Sequence, residues 1–273
     1  MSQPLQGPLC TPEFLIEAFT SILSNIPSNS SSPPTLLLHS SLRSIGFIPG
    51  SAPALISALL SALGPSGTLV APTHTGDNSD PSEWSSPPVP PSWWQSIRDS
   101  TPAYDPQTTI SRAMGIIPET LRTWPGALRS AHPQTSFAAL GPNAELVTEE
   151  HDLNCRLGEA SPLAKLESLN AWILLLGVGY DKCTAFHLAE YRLSNAPKTE
   201  NSFAAMVDGD RKWVTVEDVA ISDEGFEELG EGFEKNKTVI HGTVGGAKCA
   251  LFALSDAVEY AQEWLAGRRS GHQ

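Results

Sequence analysis

Apolar residues near the start of the chain recur first at helical and then at extended spacing. Thr11-Pro12-Glu13 has the composition of a helix start, with a capping hydroxyl, a proline and an acid. Apolar side chains then recur at helical spacing from Phe14 to Ile22, which predicts a helix. The apolar run at 35–39 (TLLLH), by contrast, predicts a short buried strand.

A second helix and a second strand follow the first strand. The pattern predicts a loop over 40–50, a helix over 51–63 and a strand over 67–71. Strand, helix and strand in this order form a βαβ unit, which implies parallel strands and an α/β fold. Ligands of such sheets bind at the carboxyl ends of the strands. Those ends are residues 39–43 and 72–75.

The rest of the chain predicts further alternation of helices and strands. Residues 76–94 lack periodicity and predict either a binding loop or a surface excursion. The other predicted elements are a helix over 109–124, strands over 136–140 and 171–177, a helix capped by Thr184, a hairpin over 203–216 turning at Asp208-Gly209, and surface helices over 224–234 and 255–265.

Charge and composition narrow the class of function. The net charge is −13, with only 17 Lys and Arg, which argues against a nucleic-acid partner. The negative charge either attracts a cationic small molecule or only keeps the protein soluble. The four cysteines form no CxxC pair, and isolated thiols are typical of a reducing compartment. The apolar run at 171–178 is too short to span a membrane, so we expect a cytoplasmic protein without a membrane partner.

The first candidate for chemistry is the segment TAFHLAE, residues 184–190. With Thr184 as the cap, His187 and Glu190 lie on the same face of a helix that follows a strand. An imidazole there can accept a proton from an attacking amine, and the carboxylate can orient the ring or bind a cation. A structural histidine is the ordinary alternative for this spacing. A metal site is another, but spacing alone places no third ligand.

Two further segments carry candidate binding groups. The first, HSSLRSIG at 39–46, offers hydroxyls, backbone N–H groups and Arg43 to a phosphate, although an ordinary polar loop fits equally. The second is PTHT at 72–75, followed by acids and tryptophan, which suits an aminated sugar or a solvated acidic loop. The Walker, Rossmann, GxSxG and HExxH patterns are absent.

Taken together, an ordered series of segments resembles the aminoglycoside 3-N-acetyltransferase family. The resemblance runs from about residue 35 to residue 265. The segments are LLLHSSLRSIG (36–46), GTLVAPTHT (67–75), DPSEW (80–84), YDPQTTISRAMGIIPETLR (104–122), LRSAHPQTSFAALG (128–141), GEASPL (158–163), ILLLGVGYDKCTAFHLAEYR (173–192) and VGGAKC (244–249). The chain departs from many relatives at Cys183, where they have asparagine before the threonine.

The resemblance implies a single α/β domain over residues 1–273, with a central mixed sheet flanked by helices, distinct from the GNAT acetyltransferases. It implies loose ends of about ten N-terminal and about six C-terminal residues. It also implies acetyl-CoA as acetyl donor, no metal, a cationic aminated small molecule as acceptor, direct transfer to its 3-amino group, and a monomer or homodimer.

The resemblance also assigns roles to individual residues. The catalytic pair is His187 and Glu190. The contacts to CoA are Ser40, Ser41, Leu42, Arg43, Thr73, Ser111, Arg112, Met114 and Gly115. The substrate-binding residues are Asp77, Asp80, Trp84, Tyr104, Asp181 and Glu190.

Two other functions remain open at this point. One is a CoA-binding protein whose catalysis is altered or lost. The other is a metal-dependent hydrolase that uses His187 and Glu190 with His39, His74 or His132.

Overall fold

The computed structural model describes residues 7–27 and 34–270, which fold around a seven-stranded mixed sheet. The strands are β1 (Thr35–Ser40), β2 (Thr68–Pro72), β3 (Leu128–Arg129), β4 (Phe137–Leu140), β5 (Trp172–Leu176), β6 (Lys198–Val207), β7 (Asp210–Val219), β8 (Ile240–Val244) and β9 (Ala247–Ala253). The large sheet has the order β3-β4-β2-β1-β5-β9-β8, and β6 and β7 pair separately as a hairpin.

Helices cover both faces of this sheet. They are α1 (Pro12–Leu23), α2 (Leu42–Ile45), α3 (Ser51–Leu63), α4 (Trp94–Ser100), α5 (Ile116–Arg122), α6 (Ala144–Thr148), α7 (Pro162–Ser168), α8 (Phe186–Tyr191), α9 (Phe226–Asn236) and α10 (Leu254–Ser270). Leu36 and Leu38 of β1 join the core beneath α1, α3 and α5, whereas Leu37 joins the core that contains α7 to α10. Because side chains alternate along a strand, the three leucines of β1 serve both cores.

The centre of the sheet is parallel, as the βαβ pattern predicts. Strand β1 pairs in parallel with β2 on one side and with β5 on the other, whereas β4 and β9 add antiparallel strands outside them. The carboxyl ends of β2, β1 and β5 therefore lie side by side at one edge. The predicted mixed α/β sheet flanked by helices is confirmed.

The predicted helix over 109–124 is wrong in its first half. The structure has a helix only from Ile116 to Arg122, and residues 109–115 form an irregular segment. Ala113 has a φ of 60° and Gly115 a φ of 85°, and such left-handed conformations interrupt a right-handed helix. The segment instead lies against the chain just beyond β2, where Arg112 N donates to His74 O at 2.7 Å.

Other boundaries differ in smaller ways. The helix start at Thr11 is confirmed, because its side chain accepts a hydrogen bond from Phe14 N. The hairpin turns at Asp208-Gly209, but its strands extend beyond 203–216 on both sides. The predicted loop at 40–50 contains the one-turn helix α2. The pattern did not predict the antiparallel strands β8 and β9, which complete one edge of the sheet.

The expected loose termini fall partly on residues 1–6 and 271–273, which lie outside the described residues. Within the described ranges, no helix is both long enough and apolar enough to cross a bilayer.

Candidate active site

A cavity of about 470 Å³ lies where β1, β2 and β5 end. We call it the His187 cavity. Its lining combines the ends of these strands, part of the 109–115 segment and the loop that follows β5. The lining residues are Leu38, His39, Ser40, Pro72, His74, Ala113, Met114, Pro118, Thr135, Leu157, Val178, Asp181, Lys182, Cys183, Thr184, His187, Ile221 and Asp223.

His187 and Glu190 form a hydrogen-bonded pair at this cavity. The distance between His187 Nδ1 and Glu190 Oε2 is 2.7 Å, and both side chains are largely buried. Since an ionised carboxylate only accepts hydrogen bonds, a bond to it places the ring proton on Nδ1, and this N–H donates a hydrogen bond to Glu190. In the neutral form of the ring, this arrangement leaves the free lone pair on Nε2.

Surrounding groups hold this pair in place. Glu190 Oε1 accepts a hydrogen bond from Ser222 N at 3.1 Å, so both carboxylate oxygens of Glu190 have a partner. The ring of His187 packs against Phe226 with centroids 4.8 Å apart. Glu190 is 3% exposed and does not line the cavity. It can therefore orient the imidazole from behind the residues that line the cavity.

The predicted capping role of Thr184 is wrong. Helix α8 begins at Phe186 without a side-chain cap, and the Thr184 hydroxyl lies 3.4 Å from His39 Nε2 instead. The first turn is held by a bond from His187 N to Thr184 O at 3.1 Å. His187 is consequently the second residue of the helix.

Two other imidazoles beside His187 are neutral at pH 7. Burial lowers the pKa of His39 to about 3. Burial also lowers the pKa of His74 to about 3, with a further contribution from the nearby His187, His39, His151 and Arg129. Among the described residues, no group of His, Cys, Asp and Glu side chains is arranged to hold a metal ion. His132, the third histidine of the hydrolase hypothesis, bonds instead to Leu153 O and to backbone N–H groups.

The cysteine that lines this cavity, Cys183, has an unreactive thiol. Cys183 is 1% exposed, and burial raises the pKa of its thiol to about 12. Because the thiolate is the nucleophilic form of cysteine, Cys183 is a poor acyl acceptor at neutral pH.

A second cavity of about 460 Å³ adjoins the first, and we call it the Ser41 groove. Its lining residues are Ser40, Ser41, Leu42, Arg43, Ala113, Met114, Gly115, Ile116 and Ile117. Ser40, Ala113 and Met114 border both cavities. A ligand in the groove can therefore extend one end toward His187.

The third cavity, of about 600 Å³, belongs to the irregular loop 76–94, and we call it the Trp84 cavity. Its walls include Asp77, Glu83, Trp84 and Arg112. The indole N–H of Trp84 donates to Ser79 Oγ at 2.9 Å, which fixes the ring. The loop thus encloses a cavity whose walls carry carboxylates and an aromatic ring.

Several residues predicted for the site lie outside these cavities. Thr73 is fully buried, its hydroxyl close to Ser136 and to Arg129 Nε. Asp80 binds Arg98 through both carboxylate oxygens at 2.9 Å and 2.8 Å. The Tyr104 hydroxyl donates to Ser130 O. Ser111 donates through its N–H and its hydroxyl to Glu119. In the structure these side chains support loops and strands.

Sequence reasoning missed the roles of two acids near Asp181. Asp223 lines the His187 cavity, and Glu227 lies next to Asp181. Burial and the neighbouring Asp181 carboxylate raise the pKa of Glu227. Asp181 also pairs with Lys182 at 2.7 Å. Carboxylates therefore cluster on this side of the cavity. In the sequence, only Asp181 in the segment YDK (180–182) pointed to them.

Comparison with known proteins gives consistent matches. Residues 37–266 match the family described as Aminoglycoside 3-N-acetyltransferase. The chain is 42% identical over 232 residues to the SPbeta prophage-derived aminoglycoside N(3')-acetyltransferase-like protein YokD of Bacillus subtilis (strain 168), with 85% of each chain covered. It is 34% identical over 240 residues to aminoglycoside N(3)-acetyltransferase III of Pseudomonas aeruginosa, covering 85% of this chain and 87% of the relative.

Solved structures agree with these sequence matches. The crystal structure of YokD has a TM-score of 0.91 and 37% identity, covering 97% of this chain and 96% of that chain. The structure of AAC-IIIb in a binary complex with CoASH has a TM-score of 0.80 and 26% identity, covering 96% and 98%. The matched range 37–266 includes every residue that lines the three cavities.

Proposed function

Because the chain belongs to the aminoglycoside 3-N-acetyltransferase family, we propose that it transfers the acetyl group of acetyl-CoA to the 3-amino group of an aminoglycoside or a similar aminated small molecule. The observation that carries the proposal is the 2.7 Å bond between His187 and Glu190 in a cavity that borders the Ser41 groove.

The Ser41 groove suits the acetyl-bearing end of CoA. Ser40, Ser41 and backbone N–H groups offer hydrogen bonds, and Ile116, Ile117 and Met114 offer apolar contact. The Arg43 side chain forms no ion pair among the described residues and is available to a phosphate. The CoASH complex of AAC-IIIb, a protein of the same fold, supports this choice of donor.

His187 acts as the general base of the transfer. The amine nitrogen attacks the thioester carbonyl carbon, and the proton that it loses passes to His187 Nε2. The bond from carbon to sulfur then breaks, and the same proton passes to the CoA sulfur. The products are an N-acetylated amine and CoA with a free thiol. Glu190 holds the ring in the required tautomer throughout.

The transfer is direct and forms no acetyl-enzyme. A covalent route needs an activated nucleophile, and the cavity's thiol, Cys183, is buried with a raised pKa. Aligning the amine with the thioester across the Ser40 and Met114 border supplies much of the rate.

Acidic walls select a cationic acceptor. Asp181 and Asp223 line the His187 cavity, and Asp77 and Glu83 line the Trp84 cavity. An aminoglycoside carries several ammonium groups on linked rings, so it can occupy one acidic region while presenting an amine to His187. The net charge of −13 attracts such a molecule over longer range.

The test is release of free thiol from acetyl-CoA over a panel of aminoglycosides. We expect acceptor-dependent release by the wild-type protein and its collapse in His187→Ala. His241→Ala is the matched control, because His241 lies on the exposed edge strand β8 and lines none of the three cavities. Its activity should equal that of the wild type.

Each other outcome identifies a different error. Release that survives in His187→Ala contradicts the general-base role, even if the transfer itself is real. Binding of CoA without release for any acceptor supports instead a CoA-binding protein with altered catalysis. Calorimetric titration with CoA separates this case from a protein that does not bind CoA.

A further inference from the structure

Two buried polar atoms without a partner lie at the same cavity. Within residues 7–27 and 34–270, the buried side-chain atoms that lack a hydrogen bond are Ser40 Oγ, His74 Nε2, Trp94 Nε1 and Asn201 Nδ2. Ser40 and His74 both line the His187 cavity, whereas Trp94 and Asn201 line none of the three cavities. Since an unpaired buried polar group is costly, two at one cavity indicate a ligand that pairs with them.

A ring contact and a backbone hydrogen bond hold His74 in place. The ring stands edge-on to Phe137, with centroids 5.4 Å apart. The carbonyl oxygen of His74 accepts a hydrogen bond from Arg112 N at 2.7 Å, which joins the end of β2 to the 109–115 segment. His74 is therefore fixed beside the same segment that borders the Ser41 groove.

At neutral pH His74 can donate a hydrogen bond but is a poor base. Burial and the surrounding His187, His39, His151 and Arg129 lower the pKa of His74 to about 3. At neutral pH the ring is uncharged and carries one N–H. A neutral imidazole can donate that N–H to a developing negative charge without itself being a cation.

Ser40 stands at the border between donor and acceptor. It ends β1 and lines both the Ser41 groove and the His187 cavity. The next residue is held by the bond from Ser41 N to Leu176 O at 2.9 Å, so the backbone is fixed while the Ser40 hydroxyl can rotate. Thr73, the neighbouring hydroxyl on β2, is occupied by Ser136 and Arg129.

We propose that Ser40 Oγ–H and His74 Nε2–H form the oxyanion hole, donating hydrogen bonds to the carbonyl oxygen of the bound thioester. This assignment rests on the proposed acetyl transfer. When the amine nitrogen bonds to the carbonyl carbon, the C=O electron pair moves onto that oxygen. When the pair returns, the bond from carbon to sulfur breaks and CoA leaves. The two donors stabilise the negative oxygen between these events, while His187 handles the proton.

The first test needs no acceptor and no turnover. Hydrogen bonds to a carbonyl oxygen weaken the C=O bond, so infrared difference spectra of carbonyl-¹³C acetyl-CoA should show a lower stretching frequency when it is bound to wild type. We expect a smaller shift in Ser40→Ala and in His74→Phe, and almost none in the double variant. An identical frequency in all four proteins would overturn the assignment. Calorimetric titration should give each variant a Kd for acetyl-CoA within about threefold of wild type.

The second test is kinetic. Removing one oxyanion donor lowers kcat by about 10²–10³ with little effect on KM. We expect this loss in Ser40→Ala and His74→Phe, and a smaller loss in His74→Asn, which retains an N–H donor. The controls are Ser61→Ala on the exposed face of α3 and His241→Ala on β8, both with wild-type kcat. Thermal unfolding confirms that each variant is folded.

The outcomes separate this inference from the proposed function. Equal losses in His74→Phe and His74→Asn would show a requirement for shape and overturn the donor role. Loss of acetyl-CoA affinity in Ser40→Ala with unchanged kcat would make Ser40 a simple cofactor contact. If wild type turns over, His187→Ala does not, and the Ser40 and His74 variants keep kcat, only the oxyanion assignment fails. If wild type has no transfer activity, the proposed function fails and the assignment with it.

Discussion

The Thr184 hydroxyl lies 3.4 Å from His39 Nε2, and this contact joins the end of β1 to the turn that leads into helix α8. His39 is 5% exposed and burial keeps it neutral, so its ring nitrogen has little access to water. The helix that carries His187 is therefore anchored to the same strand that carries Ser40.

Thr184→Val should destabilise the protein. The substitution preserves the shape of the side chain but leaves His39 Nε2 buried without a partner, which costs about 1–3 kcal/mol in the free energy of unfolding. Urea unfolding measures this loss. Thr199→Val, at an exposed position on β6, is the control and should change stability by less than about 0.5 kcal/mol. Equal stability of the two variants would contradict the role of the contact.

Glu190→Gln should abolish most of the activity without unfolding the chain. The amide can present its NH2 group to Nδ1, which forces the proton onto Nε2 and removes the free lone pair. We expect kcat to fall by roughly 10²–10⁴. Glu231→Gln on α9 is the control, because it makes the same change of charge at an exposed position. A kcat close to wild type would show that Glu190 does not set the tautomer.

Stability should fall in mild acid because of buried histidines. His151 Nδ1 is bonded to Ser130 Oγ and Nε2 to Arg156 O, and burial lowers its pKa to about 4. The unfolded chain binds a proton near pH 6.5, so the stabilising effect is complete above that pH and is lost as the pH falls toward 4. Between about pH 7 and pH 5 the loss is about 2 kcal/mol for His151.

The measurement is urea unfolding of wild type and His151→Gln at a series of pH values. The variant lacks this titration, so its stability should decline by about 2 kcal/mol less over the same interval. Parallel curves for the two proteins would show that His151 is not the group responsible.

Asp77→Asn should weaken binding of the acceptor and leave the donor unaffected. Asp77 is exposed, lines the Trp84 cavity and forms no ion pair among the described residues. We expect KM for a polycationic acceptor to rise about two- to fivefold, as for loss of one solvent-exposed charge pair. Steady-state kinetics with each substrate varied in turn is the check, with Asp210→Asn, at the exposed first residue of β7, as control. A rise in KM for acetyl-CoA instead would place the donor in this cavity.

The sequence predicted the strands and the catalytic pair of the site better than the contacts between distant residues. The apolar runs at 35–39 and 67–71 identified two adjacent parallel strands, and the spacing of His187 and Glu190 identified their pairing. Both inferences depend on periodicity, which local sequence encodes directly.

The failures involve contacts between distant residues. Thr184 has the composition of a helix cap, but its hydroxyl lies against His39, 145 residues earlier in the chain. The predicted helix at 109–124 is broken at Ala113, a good helix former that takes a left-handed φ next to Arg112, whose N–H donates to His74 O just beyond β2. Tertiary contacts decide both cases, and no local pattern reveals them.

The short segment 112–115 contributes to all three cavities: Arg112 to the Trp84 cavity, Ala113 and Met114 to the His187 cavity, and these two with Gly115 to the Ser41 groove. With CoA in the Ser41 groove, as proposed, acceptor preference can diverge through loop 76–94 at little risk to the chemistry, because the Trp84 cavity shares no lining residue with the groove. An insertion within 112–115, by contrast, would disturb donor, acceptor and catalysis at once. Lineages that acquire new acceptors should thus vary in the loop and keep the length of the segment.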